Sequence, residues 1–155
     1  MRLGKARGVY PIAPTPFDRD GGVDFDSLDR LIDHYVAIGV DGCTILGIMG
    51  EAPKLDGGEA LALVKRCVSR ARLPFIVGVS APGFASMRSL ARASMEAGAA
   101  GVMIAPPSSL RADDQIVTYY TQAVEAIGDD VPFVIQDYPL SLTVVMTPAV
   151  IRRIV

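Results

Sequence analysis

The chain has no tryptophan, a single histidine, two cysteines and three lysines (Lys5, Lys54 and Lys65). Each scarcity excludes a chemistry. With one imidazole and two thiols that share no CxxC spacing, no metal site is expected. His34 falls inside a helix-like stretch, far from any strand end, so a surface or packing role is expected and a Ser–His–Asp relay is not. Cys43 and Cys67 lie on different elements and read as reduced core thiols. The formal net charge is -2 with a pI near 5.3, which offers no basic surface to nucleic acid or an anionic membrane. No stretch approaches the roughly 18 apolar residues of a membrane span. The opening MRLGKARG has no apolar segment behind its basic residues, so no signal peptide is expected and the cytoplasm is the expected compartment. Phosphate signatures are missing too, since there is no GK[ST] and no GxGxxG after the first strand-like run.

What the sequence does contain is a rhythm. Strand-like runs begin at Gly8, Gly42, Pro74, Gly101 and Pro132, and a helix-like stretch follows each. Strands that alternate with helices in this way read as parallel pairing with helical crossovers. The runs FIVGV and VMIA are apolar throughout, as strands covered on both faces must be. The expected fold class is therefore α/β, a single domain over 1–155. It is a partial (β/α)8 TIM barrel of about five units, because a closed barrel takes eight units and about 250 residues.

The helices have their own signals. DFDSLDRLIDHYVAIG carries a stripe of Leu28, Leu31, Ile32, Tyr35, Val36 and Ile38, with Gly39 as its stop. EALALVKRCVSRA places Leu61, Val64, Cys67 and Val68 on one side. Further helices are expected from Phe84 to a stop at Gly98 and from Asp113 to Ile127, closed by Gly128. A last one begins after Thr147 as N-cap, with Pro148 in its first position.

Ligands in parallel α/β sheets gather at the carboxyl ends of the strands. Here those ends carry Thr15, the run GIMGE at 47–51, Ser80, Ser108 with Ser109, and QDY at 136–138. In GIMGE, Gly47 and Gly50 bracket Ile48 and Met49, and a turn so built can aim backbone N–H groups at a carboxylate or phosphate. Glu51 suits the positive end of the following helix, so a tight turn with a capping glutamate reads equally well. At the fifth strand, Gln136 facing inward would need a hydrogen-bond partner. Tyr138 suits either a proton-relay hydroxyl or a ring packed under a helix. None of the three lysines sits in a context that would desolvate an imine-forming amine.

Taken in order, APTPF at 13–17, LGIMGEAPKL at 46–55, the IVGV strand, MEAGAAGVMIAPP at 95–107, the YP at Tyr138 and TPAVI at 147–151 resemble the dihydrodipicolinate synthase and N-acetylneuraminate lyase superfamily. The resemblance is collinear over nearly the whole chain. It implies a (β/α)8 barrel, usually in a homo-oligomer, that acts on pyruvate or another 2-keto acid through a Schiff-base lysine and needs no cofactor. It implies substrate-binding roles for Thr15, Gly47, Ile48, Met49, Gly50 and Glu51, and catalytic roles for Gln136 and Tyr138. That lysine would lie downstream of Val155. Departures from the family pattern concentrate in the site. Ile48 and Met49 stand where synthases usually carry paired threonines. Ser108 and Ser109 replace a tyrosine pair, Gln136 replaces the relay tyrosine, and Ser141 falls near the position of a substrate-gripping arginine. A divergent lyase, such as a sugar-acid dehydratase or retro-aldolase, is the expected reading. The alternative is a noncatalytic remnant or half-barrel that works only by association.

Overall fold

A computed structural model describes residues 6–155. Four parallel strands form one sheet in sequential order: β1 (Cys43–Ile45), β2 (Phe75–Gly78), β3 (Gly101–Ile104) and β4 (Phe133–Ile135). The crossovers are α2 (Gly57–Arg70), α3 (Phe84–Glu96) and α4 (Asp113–Ile127). Helix α1 (Phe25–Ala37) precedes the sheet, while a short α5 (Pro139–Leu142) and α6 (Pro148–Ile154) follow it. This is the α/β architecture of the first part of a (β/α)8 barrel.

The strand expected from Gly8 is the one that differs. It survives as a single parallel bridge, Ile12 to Thr44, with Ala13 N donating to Thr44 O at 2.8 Å and Thr44 N donating to Pro11 O at 2.9 Å. Pro11 has no N–H to give to β1 on one side of the bridge, and on the other Leu46 leaves the strand in left-handed backbone at φ 56°, so the ladder stops after one bridge. The segment still occupies the place of a first strand beside β1, and the five-unit count holds.

Side chains alternate across the sheet. Cys43, Ile45, Phe75, Val77, Val79, Val102 and Ile104 join the core against the helices, with Leu28, Ile32, Leu63, Val64, Met87, Ala91, Ile116 and Tyr120 opposite them. Thr44, Ile76, Gly78, Gly101, Met103 and Val134 share the other face, as the paired registers Thr44–Ile76, Gly78–Met103 and Met103–Val134 require. In a complete barrel that second face is the interior. On it Ile76 and Met103 are buried, whereas Val134 is 40% exposed.

Helix boundaries follow local chemistry. Asp24 caps α1 by accepting from Ser27 N at 2.9 Å. Asp56 and Glu59 form a reciprocal capping box that starts α2 at Gly57, two residues before the expected EALAL start. Helix α4 has the expected bounds, with Gly128 at φ 106° as its stop. Gln115 reaches back to the N–H of Arg111 at 2.9 Å and of Ala112 at 3.1 Å. Thr147 caps α6, and Pro148 occupies its first position. The expected stripe of α1 is too long, because Val36 and Ile38 are exposed: the chain leaves the sheet surface before its helical period runs out. Helices α1 and α2 are joined by a fork from Arg66 to Asp29, at 2.8 and 2.6 Å, and by Arg70, which bridges Asp29 and Asp33. These guanidinium contacts, led by the hydrogen bond from Arg66, hold the Asp29 carboxyl below its ordinary 3.8.

Candidate functional site

The turn after β1 is shaped by contacts from both neighbouring segments. Leu46 leaves the strand at φ 56°, a left-handed conformation uncommon for a residue with a side chain, while that side chain stays buried in the core. Its carbonyl swings onto Gly78: a Cβ at Gly78 would lie 1.9 Å from Leu46 O and 2.6 Å from Leu46 C. Gly47 packs beneath Ile12 and the Met103 methyl, where a Cβ would meet Ile12 Cγ2 at 2.9 Å. On the far side, Glu51 N donates to Ile48 O at 3.1 Å and closes the turn, with Glu51 itself at φ 52°. Among the described residues, the N–H groups of Ile48 and Met49 donate to no protein acceptor. Ile48 is half-buried and the Met49 side chain is 61% exposed.

Thr15 belongs to this turn. It is 6% exposed, and its hydroxyl donates to Gly50 O at 2.6 Å. Its hydroxyl is therefore engaged with the protein backbone. Glu51 departs from one of its two expected roles. It opens the 3-10 turn Ala52–Lys54 without a side-chain cap and pairs with Lys54, because the chain makes that extra turn before α2 and leaves the helix dipole to Asp56.

The fifth strand end is arranged differently. Gln136 is half-buried, and its N–H donates to Ile104 O at 2.9 Å, which prolongs the ladder by one bond beyond β4. Tyr138 is 46% exposed and starts α5, so it is not packed under a helix. Its φ of -141° and ψ of 74° take the chain out of the strand before the ring is reached. These residues and the turn lie at the same end of the sheet, but β2 and β3 intervene, a span of about 14 Å at ordinary strand spacing. No hydrogen bond joins the two groups among the described residues. Thr15, Gly47, Ile48, Gly50 and Glu51 are thus brought together, and Gln136 and Tyr138 stand apart from them.

Between the two groups, Ser80 accepts from Ala105 N at 2.8 Å and ties the end of β2 to that of β3. Tyr119 donates to Ala105 O at 3.3 Å, and burial pushes its phenol up to about 12. Ser108 and Ser109 are exposed. Lys54 and Lys65 are exposed, and Lys5 lies outside the described residues. Cys43 and Cys67 are buried, and burial pushes both thiols up to about 12. Among the described residues no three His, Cys, Asp or Glu side chains gather closely enough to hold a metal, and no helix is long and apolar enough to cross a membrane. Sequence reasoning missed Leu46 and Gly78. Nothing in a leucine announces a left-handed backbone, whereas a glycine inside the IVGV strand is a recognisable sign of close backbone approach.

A parallel sheet with sequential strands, outer helices and a glycine turn at its carboxyl end defines the class: the opening units of a barrel enzyme fold. The particular family follows from direct comparison, since residues 5–155 match the Dihydrodipicolinate synthetase family, and the chain belongs to it. The 4-hydroxy-tetrahydrodipicolinate synthase of Sorangium cellulosum is 35% identical over 150 residues, which are 95% of this chain and 50% of that protein. The crystal structure of dihydrodipicolinate synthase from Rhodopseudomonas palustris superposes with a TM-score of 0.93 at 65% identity, covering 96% of this chain and 50% of that one. A prophage protein of the same family from E. coli K12, solved in complex with pyruvate, superposes with a TM-score of 0.83 at 25% identity and covers 94% of this chain and 50% of that one. The chain spans about half the length of these relatives.

Proposed function

We propose that the chain supplies the carboxylate-binding end of a lyase that acts on pyruvate or another 2-keto acid through a Schiff base. The observation that carries this reading is the turn at 47–51. In a member of this family, it presents the N–H groups of Ile48 and Met49 without protein acceptors at the carboxyl end of the sheet. Backbone donors fixed in this way suit a carboxylate, and they cost no side-chain ordering on binding. The pyruvate complex of the E. coli relative supports the choice of ligand class. Ile48 and Met49 bring no hydroxyl to the turn, and Gln136 carries an amide that does not ionise, so it can orient a substrate hydroxyl but not relay its proton. That chemistry favours a divergent lyase, such as a dehydratase or retro-aldolase on a sugar-derived keto acid, over the synthase reaction. Tyr138, on the exposed exit from β4, is the phenol assigned to a relay. The reaction takes place in the cytoplasm, in a homo-oligomer, and uses no cofactor beyond the imine.

The amine that captures the ketone is not among the 155 residues. Lys54 is exposed and paired with Glu51, and Lys65 is exposed on α2. Neither has the dry seat that keeps an imine-forming amine neutral. Borohydride reduction in the presence of pyruvate, read by intact mass, is expected to leave the chain unmodified. Amide NMR is expected to show shifts at Ile48 and Met49 on addition of pyruvate. A covalent adduct on Lys5, Lys54 or Lys65, or unmoved Ile48 and Met49 amides, would overturn this assignment.

A second reading, a noncatalytic half-barrel that acts by association, is favoured by one observation: the interior-facing Val134 is 40% exposed at the outer edge of the sheet. Size exclusion at low concentration separates the two, since a cooperatively melting monomer removes the need for a partner.

A further inference from the structure

We propose that Thr15 and Gly78 are positioning residues that set the conformation of the 47–51 turn, one from each flanking segment, and so determine its affinity for a keto-acid carboxylate. The proposal rests on the carboxylate-binding reading of that turn, and it concerns two residues that do not themselves face the ligand.

The turn begins and ends in left-handed backbone at two residues that carry side chains, Leu46 at φ 56° and Glu51 at φ 52°. Such conformations are unfavourable for L-residues and persist only where the surroundings impose them. At the first end, Gly78 leaves the room that this conformation needs. The Leu46 carbonyl rests on its Cα so closely that a Cβ there would stand 1.9 Å from the oxygen and 3.3 Å from Gly47 N. Both obstacles are backbone atoms, so a methyl group at Gly78 must displace the start of the turn. At the other end, Thr15 holds Gly50 O at 2.6 Å in a buried hydrogen bond across 35 residues of sequence. That bond fixes the plane of the Gly50–Glu51 peptide, whose N–H closes the turn on Ile48 O.

Thr15 is itself held still. Pro16 restricts it to extended backbone, and Pro14 restricts Ala13 in the same way. Ala13 N is in turn anchored on Thr44 O at 2.8 Å. Pro14 and Pro16 therefore give the segment rigidity, with one hydroxyl aimed at the turn. Gly50 adds to the fit, as its Cα faces Leu46 N, Ala13 O and Gly47 N, each within 3.2 Å of a would-be Cβ.

The test uses the full 155-residue chain, with amide hydrogen exchange at Glu51 as a ligand-free readout, pyruvate titration followed at the Ile48 and Met49 amides, and thermal melting as a check on folding. Thr15→Val keeps the shape and removes the hydroxyl, Thr15→Ser keeps the hydroxyl, and Gly78→Ala presses on Leu46. Thr15→Val and Gly78→Ala are expected to speed exchange at Glu51 and to weaken pyruvate binding about tenfold, the scale of one lost buried hydrogen bond. Thr15→Ser is expected to restore both. If Thr15→Val melts cooperatively and leaves Glu51 exchange unchanged, or if affinity stays the same while exchange accelerates, the proposal fails. If the unmodified chain binds no pyruvate but Glu51 exchange responds as stated, the positioning role stands and the carboxylate reading falls.

Discussion

Strands β2 and β4 are nearly the same sentence written twice. Pro74, Phe75, Ile76 and Val77 match Pro132, Phe133, Val134 and Ile135 in type and order, and yet the first strand is buried throughout while the second is half-buried, with Val134 40% exposed. Residue chemistry cannot account for the contrast, since it is the same in both. Position accounts for it: β2 has a partner on each side, whereas β4 pairs only with β3. The apolar content of β4 is therefore suited to a neighbour on its second edge, and the pair of strands measures what one missing neighbour does to the same four residues.

The contrast can be broken most forcefully at the aromatic pair. Phe75→Ala is expected to cost about 3–5 kcal/mol, in the range for deleting a fully buried ring. Phe133→Ala should cost about 1–2 kcal/mol, because its ring is already partly solvated. Urea unfolding of both variants decides this, and equal losses would mean that β4 is covered in solution.

A smaller difference is expected between two tyrosines. Tyr120 is fully buried on α4 and donates to Ile104 O at 3.1 Å, and burial raises its phenol above the ordinary 10.0. Tyr120→Phe removes one of the two donors on that carbonyl, which keeps the N–H of Gln136, and should cost about 1 kcal/mol. Tyr138→Phe, at the exposed exit from β4, should stay within about 0.5 kcal/mol. The melting temperatures of the two variants make the comparison.

The smallest effect expected is a pH dependence that distinguishes the two ends of the helix layer. Arg66 and Arg70 hold the Asp29 and Asp33 carboxyls below their ordinary 3.8, so the α1–α2 pairing is stabilised above that value and loses the contribution as pH falls through the lowered folded values. Among the described residues, the one ion pair between α4 and α6 is the exposed Arg153–Asp114 contact. Hydrogen exchange recorded from pH 5 downward should show α1 and α2 losing protection before α4, and simultaneous loss would make the network energetically silent.

Much of the fold could be read before any coordinates, for reasons that differ by element. Helix α4 has its expected bounds because its Gly128 stop and periodic interior agree. In the first segment the prolines were visible in the sequence, but the left-handed exit at Leu46, which ends the pairing on the carboxyl side, was not. Val36 and Ile38 continue a helical period past the point where there is anything to cover, which the period alone cannot reveal. Of the candidate site, the glycine turn was legible, because glycine spacing reports backbone needs directly, whereas the Thr15 bond to Gly50 O spans 35 residues and has no local signal. The role of Glu51 was not legible either, since the short turn at Ala52–Lys54 moves the start of α2 to Asp56. The exit at Tyr138 into α5 had no periodic signal, as four residues are too few to carry one.

Each strand in this sheet bonds to the one made just before it, and each long helix leans on the helix of the preceding unit. On a ribosome, such a chain could be laid down like a row of bricks, every piece finding its support already in place as it emerges. The outward side of β4 departs from that order, because no strand made before it lies there.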